Sequence, residues 1–395
     1  MDAEKTTNSV LNQVFQGQGT TIFTTMSNLA AKHGAINLGQ GFPDVDGPVA
    51  MREEAARRLI EGPNQYAPSM GVTELRQAVA DHNKRAYGIE FDWQSEIMVT
   101  SGATEALLDS LMALVNPGDE VVLIEPFYDC YLPIIERAGG IAKTVSLKPP
   151  RWDVPQDQLE QAFSDNTKLI LLNTPMNPCS KVFSVDELDR IAALCLKHEA
   201  YAVCDEVYEN LVFDNHKHVP LMTRPGMADR CVRIGSAGKS FSFTGWKIGY
   251  VSAPKHLMSV IAKAHQYFIF ATPTALQYAV AFGLNEQDAF VRELAAELEQ
   301  KRDFLKNTLE GIGLETLPCE ATYFMTADVA SLGFDGNDMD FCEHITVNAK
   351  VAAIPMSAFY HPASKHVPDS LIRFCFCKQT DVLEESARRL KALFS

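Results

Sequence analysis

The chain is short of positive charge. Its 35 Lys and Arg stand against 50 Asp and Glu, a formal charge of -15, so a nucleic-acid backbone would be repelled rather than neutralised. It also lacks any apolar run near the roughly 20 residues that span a bilayer. The start, MDAEKTTNSVLNQ, has no basic stretch followed by an apolar one, and no signal peptide is expected. No two of the nine cysteines form a CxxC pair. That leaves no framework for a zinc cage or for paired disulfides, and reduced, buried thiols in a cytoplasmic protein are expected. His216 and His218 lie in the polar stretch FDNHKHVPL without further clustered ligands. Both are expected to be exposed loop residues with no metal bound. Repeats and low-complexity tracts are absent.

What is present is an ordinary globular composition, 46% hydrophobic and 22% charged, in a chain long enough for one large domain and a smaller one. Short β-rich runs alternate with helical stretches through the middle: EIMVTSG, NPGDEVVLIEP, KLILLNTP, AYAVCDE, CVRIGS and IGYVSAP. That rhythm predicts an α/β fold, a mostly parallel sheet covered by helices on both faces. From Lys255 to Gly311 the sequence is rich in Ala, Leu and Glu and reads as helices. Beyond it, GLETLPCEATYFMTADV, VAAIPMS and SLIRFCFCK read as strands of a smaller α+β unit closed by a terminal helix. We expect residues 1–45 to pack with that unit, residues 46–290 to form the large domain, and residues 291–395 the small one.

The stretch IGSAGKSFSFTGWKIGY resembles a nucleotide phosphate loop at first sight. Such a loop needs Gly, four residues, then Gly-Lys-Ser/Thr, and the position for its first glycine holds Arg233. The loop is two residues too short. A different reading comes from where polar residues fall, because ligands of open α/β sheets gather beyond the carboxyl ends of the strands. Gly102 and Ala103 follow the first of these strands and open a helix, where free backbone N–H groups favour a phosphate. Tyr128 comes after VVLIEPF, Asn177 after LILLNTPM, and Asp205 after YAVC, with Tyr208 three residues further. Ser236 and Lys239 close CVRIGS. Singly, each has a plainer reading: a helix cap, a turn, a packing ring. Together they place a phosphate nest, a lone carboxylate, a phenol, an amide and a lysine at one sheet edge.

Eight blocks in order, INLGQGFPD, NQYAPSMGVTELRQAVA, SGATEAL, GDEVVLIEPFYDCY, LNTPMNP, CDEVYE, SAGKSFSFTGWKIGY and LIRFCF, resemble the class I pyridoxal-phosphate aminotransferases of fold type I. Within them the chain is similar to the kynurenine/glutamine and methionine aminotransferase group, nearest its bacterial methionine-preferring branch. The resemblance implies pyridoxal 5'-phosphate as cofactor and ping-pong transamination between an amino acid and a 2-oxo acid. It gives Lys239 the role of Schiff-base lysine and general base. Asp205 would keep the cofactor's pyridine nitrogen protonated, Asn177 and Tyr208 would bond its phenolic oxygen, and Tyr128 would stack on its ring. Gly102, Ala103, Ser236 and Lys247 would hold the phosphate, joined by Tyr66 from the other subunit of a homodimer. Arg373 and Gly41 would take the substrate's α-carboxylate.

The same resemblance places Phe23 and Phe270 at the substrate side chain. Phe23 and Thr104 stand where kynurenine-type relatives carry tryptophan and tyrosine, and Ala271 replaces a histidine. No second arginine clearly serves a dicarboxylate, so methionine and aromatic amino acids are the expected donors, with aspartate disfavoured. A C–S β-lyase of cysteine conjugates shares the cofactor site and is the alternative; a non-catalytic regulator on this fold would need an added DNA-binding module.

Overall fold

The computed structural model describes residues 11–394. The first ten residues of the expected N-terminal segment, on which the expectation of no signal peptide also rests, lie outside the described residues.

Strand β1 (Ile36–Asn37) follows a helix at Ile22–His33. Seven further strands form the central sheet: β2 (Ile97–Thr100), β3 (Glu120–Glu125), β4 (Ile141–Ser146), β5 (Thr167–Asn173), β6 (Tyr201–Asp205), β7 (Cys231–Ser236) and β8 (Gly249–Ser252). Their spatial order is β2-β8-β7-β6-β5-β3-β4. All run parallel except β8, which pairs antiparallel with β2 and β7. Alternation along a strand decides which face each residue covers, and both faces are buried here. In β5, Ile170 and Leu172 enter one apolar layer, whereas Leu169 and Leu171 enter the opposite one with Leu107, Leu111 and Ile261. The direction of β8 is not visible in such a pattern. It follows from its connection: the segment after β7 holds only the short helix Ala237–Ser240 and a 3₁₀ turn, too little for the helical crossover that a parallel return needs.

The remaining strands are β9 (Glu315–Thr316), β10 (Phe324–Asp328), β11 (Val351–Ala352), β12 (Ile354–Pro355) and β13 (Leu371–Cys375). Four of them make an antiparallel sheet in the order β12-β13-β10-β9, and β1 pairs with β11. The helix Ile22–His33 packs on the helix Asp338–Asn348. One apolar layer runs without a break from Ile170 and Leu172 to Phe341 and Phe374, so the two sheets are held to one another by shared core. A single helix, Asp288–Gly311, spans the expected boundary at residue 290.

One expectation is corrected. His216 is exposed, but His218 is buried, its Nε2 2.9 Å from Glu206 Oε2. Its polar sequence neighbours hid a partner 12 residues away. Arg233, the residue that breaks the phosphate-loop pattern, donates to the same Glu206 at 2.7 Å and to Glu209 at 3.2 Å. Burial pushes both carboxyls up, yet Arg233 with the neighbouring histidines holds them below their ordinary range.

Candidate active site

The carboxyl ends of β2, β3, β5, β6 and β7 open into a cavity of about 390 Å³. The switch point of the strand order lies here, where a doubly wound sheet leaves room for a ligand. The cavity brings together Gly102, Ala103, Tyr128, Asn177, Asp205, Tyr208, Ser236, Lys239, Lys247, Gly41, Phe23 and Arg373. Tyr66 and Phe270 are not on it. They pair edge-to-face with each other at 5.2 Å and are exposed on the same chain's surface, 84% and 43% respectively.

The anion end is built from backbone. The helix Gly102–Leu114 has no side-chain cap at its N-terminus, so its first-turn N–H groups and dipole are turned to the cavity. Gly102 sits at φ 75, and a Cβ there would stand 3.1 Å from Lys247 Nζ. Lys247 itself is left-handed at φ 53, which turns its side chain over that helix start. Gly249 faces Thr100 and Ser236 at the start of β8. A Cβ on it would lie 2.6 Å from the Gly102 carbonyl carbon and 2.9 Å from Ala103 N, so only glycine lets the strand pass beneath the cradle. The sequence reading missed this position.

Behind the cradle, Glu105 accepts the Ser101 N–H and meets His265 Nδ1 at 2.6 Å. His265 Nε2 lies 2.8 Å from the Ser69 carbonyl. Both ring nitrogens therefore face oxygen acceptors, an arrangement that the doubly protonated imidazole satisfies. Burial would lower its pKa, but Asp109 and Glu105 raise it to about 10. This ion group, also unforeseen, ties the cradle helix to the segment that follows Tyr66.

Asp205 closes β6 beside Asn173 of β5. Its Oδ2 accepts the Tyr131 hydroxyl at 2.5 Å, and Tyr131 is a further residue missed from sequence. No cation stands within ion-pair distance of Asp205 among the described residues, and burial raises its pKa despite Tyr131, the Val207 N–H and the Lys239 charge. A buried carboxylate of this kind gains by meeting a protonated ring nitrogen. Lys239, on the one-turn helix after β7, is partly buried and donates to the Tyr323 hydroxyl at 2.8 Å. Burial lowers its pKa to about 8; Lys247 and Arg373 push the same way, Cys377 and Asp205 oppose.

Arg373 is 1% exposed on β13. It donates to Asn177 Oδ1 at 2.9 Å and to the Gly39 carbonyl at 2.8 Å, and its Nε has no partner. Among the described residues no carboxylate stands within ion-pair distance, and desolvation lowers its pKa. Its guanidinium carbon lies 4.0 Å from the Phe324 ring centre, 4.9 Å from that of Phe359 and 5.4 Å from that of Phe23. Phe324 and Phe359 were not foreseen. The site thus brings together an anion cradle, an amine, a buried carboxylate without a cation and a buried guanidinium without a carboxylate. A flat, phosphorylated, cationic ring and an amino acid's carboxylate fit those groups.

This is the fold of a fold type I aminotransferase. The family model for aminotransferase class I and II matches residues 33–390, and the chain belongs to that family. The methionine aminotransferase of Escherichia coli (strain K12) is 42% identical over 375 residues, 95% of this chain and 96% of that protein. Kynurenine–oxoglutarate transaminase 3 of Rattus norvegicus is 38% identical over 395 residues, covering 93% and 87%. The solved structure of N-succinyldiaminopimelate aminotransferase from Mycobacterium tuberculosis superposes with a TM-score of 0.94 at 42% identity, over 97% of this chain and 100% of that one. The protein is a pyridoxal-phosphate-dependent aminotransferase, and nothing among these relatives supports the lyase alternative.

Proposed function

We propose that this aminotransferase takes methionine and aromatic amino acids as donors, with a 2-oxo acid as acceptor, and works as a homodimer in the cytoplasm. The observation that carries the donor class is Arg373, the only arginine on the cavity among the described residues. Unpaired and buried, it suits one planar carboxylate. A side-chain carboxylate finds no second guanidinium, whereas Phe23, Tyr128 and Phe324 offer an apolar wall. An apolar wall separates substrates by only about 1–3 kcal/mol per methylene, so the specificity is broad.

Bound in the cavity, pyridoxal phosphate supplies an electron sink for the charge left at Cα when its proton departs. The Gly102 and Ala103 N–H groups, Ser236 and Lys247 would hold its phosphate, Asp205 its ring nitrogen, and Tyr208 and the Asn177 amide its phenolic oxygen, with Tyr128 over the ring. Asn177 Oδ1 is already taken by Arg373, which leaves the amide N–H groups to donate. Lys239 Nζ would take the Cα proton and pass it on to the bound cofactor; Arg373 and the Gly41 N–H would fix the carboxylate so that the Cα–H points at that amine.

Adding L-methionine alone to the yellow holoenzyme is expected to bleach its visible band. The kcat/KM for methionine and phenylalanine should exceed that for aspartate; the reverse order rejects the donor class.

Tyr66, Tyr267, Ile269 and Phe270 form an exposed apolar group, which a second copy would cover while receiving Tyr66 at its own phosphate. Sedimentation should give twice the 43.7 kDa chain mass, and a one-chain mass would remove this assembly. All nine cysteines are free, which suits a reducing compartment, and no described helix is long and apolar enough to cross a membrane.

A further inference from the structure

We propose that Tyr323 is a positioning residue for Lys239, holding the amine in place whenever it is not covalently engaged. The inference rests on the reading of Lys239 as the base. The Gly41 carbonyl can only accept, so the Tyr323 hydroxyl that lies 2.7 Å from it must donate there. Its lone pair is then left to accept from Lys239 Nζ at 2.8 Å. The bond serves the amine in either protonation state and is stronger for the ammonium. Tyr323 has little freedom to do otherwise: it is 1% exposed, with its ring edge-on to Tyr208 at 5.3 Å and to Phe324 at 4.7 Å.

Gly41 is part of the same device. A Cβ there would stand 2.4 Å from Phe324 Cε1 and 3.0 Å from Tyr323 Cε2, so a larger residue would push these rings off their places. The adjoining Gly39 carbonyl accepts from Arg373. One short segment, residues 39–41, therefore carries both the carboxylate-binding arginine and, through Tyr323, the base. The distance from grip to amine is fixed by backbone rather than by two independent side chains.

The test is Tyr323→Phe, which keeps the packed ring and removes only the oxygen, with Lys239→Ala beside it. In the cofactor-free protein, competitive labelling with acetic anhydride, read at the Lys239 peptide by mass spectrometry, follows the amine's ionisation. Its midpoint should fall in Tyr323→Phe, because a buried ammonium has lost its acceptor. In the holoenzyme kcat should drop about 10- to 100-fold, the worth of a hydrogen bond to a charged group, with the methionine KM within about threefold. An unchanged midpoint and kcat would overturn the inference. So would a raised KM at unchanged kcat, which would assign the hydroxyl to Gly41 alone. Should the variant not fold, a fluorinated tyrosine at position 323, a weaker acceptor of the same shape, must shift the midpoint in the same direction. Lys239→Ala separates the two readings. Turnover in that variant would remove the base assignment itself, whereas its loss alongside a wild-type-like Tyr323→Phe would remove only the role of Tyr323.

Discussion

Replacing Lys239 by alanine is expected to lower transamination by more than about 10⁴-fold, beyond the contribution of a single positioned base, because nucleophile and base are lost together. The substitution should leave the fold intact. Lys239 sits at the mouth of β7 on a helix of four residues, and its bond to Tyr323 is the interaction that alanine removes. The amine is also poised for proton transfer. With a pKa of about 8 in place of the usual lysine value, about half of the free amines are neutral at pH 8 and about one in a hundred at pH 6. The neutral form accepts a proton, so labelling of the cofactor-free amine rises with pH through that midpoint. Turnover assays beside a melting curve decide the matter: near-wild-type rates in a folded Lys239→Ala protein would end the assignment of this residue.

The sheet edge was legible in the sequence because each of its features is local. A strand that runs up to Gly102, or ends at Asp205, carries its own signature, a short apolar run buried on both faces that gives way to a polar or flexible residue. Arg373 was legible through the block LIRFCF, one of those that carry the family resemblance. What escaped were residues whose role exists only across the fold. Tyr323 meets Gly41 from 282 positions away, and His265 meets Glu105 from 160; neither partner can be chosen from sequence spacing. Tyr131 lies three residues past Tyr128, and nothing local says that its hydroxyl reaches β6. His218 was misjudged for the same reason, and the antiparallel direction of β8 stayed unread because alternation is blind to direction. Tyr66 and Phe270 show a further limit: one chain leaves them on the outside, beside apolar neighbours, and their place depends on what covers that face.

Arg373→Met is expected to separate catalysis from stability. The wild-type guanidinium holds no carboxylate; two carbonyl-type oxygens and three aromatic faces partly compensate its burial. Removing a buried charge that is only partly compensated relieves a penalty of up to several kcal/mol, while Asn177 Oδ1 and the Gly39 carbonyl each lose a donor, at about 1–3 kcal/mol apiece. These terms oppose one another, and the melting temperature should change little. Catalysis has no such offset. An amino acid entering the variant buries its carboxylate without a partner, a loss of about 2–5 kcal/mol that lowers kcat/KM by roughly 30- to 5,000-fold. Arg373→Lys should fall between, keeping the charge but not the two-pronged geometry. A carboxylic acid that resembles the substrate supplies the cleanest readout: it should raise the melting temperature of the wild type by linkage and leave that of Arg373→Met where it was. Equal stabilisation of both proteins, with kcat/KM within threefold, would mean that the carboxylate binds elsewhere and that Arg373 is a structural cation.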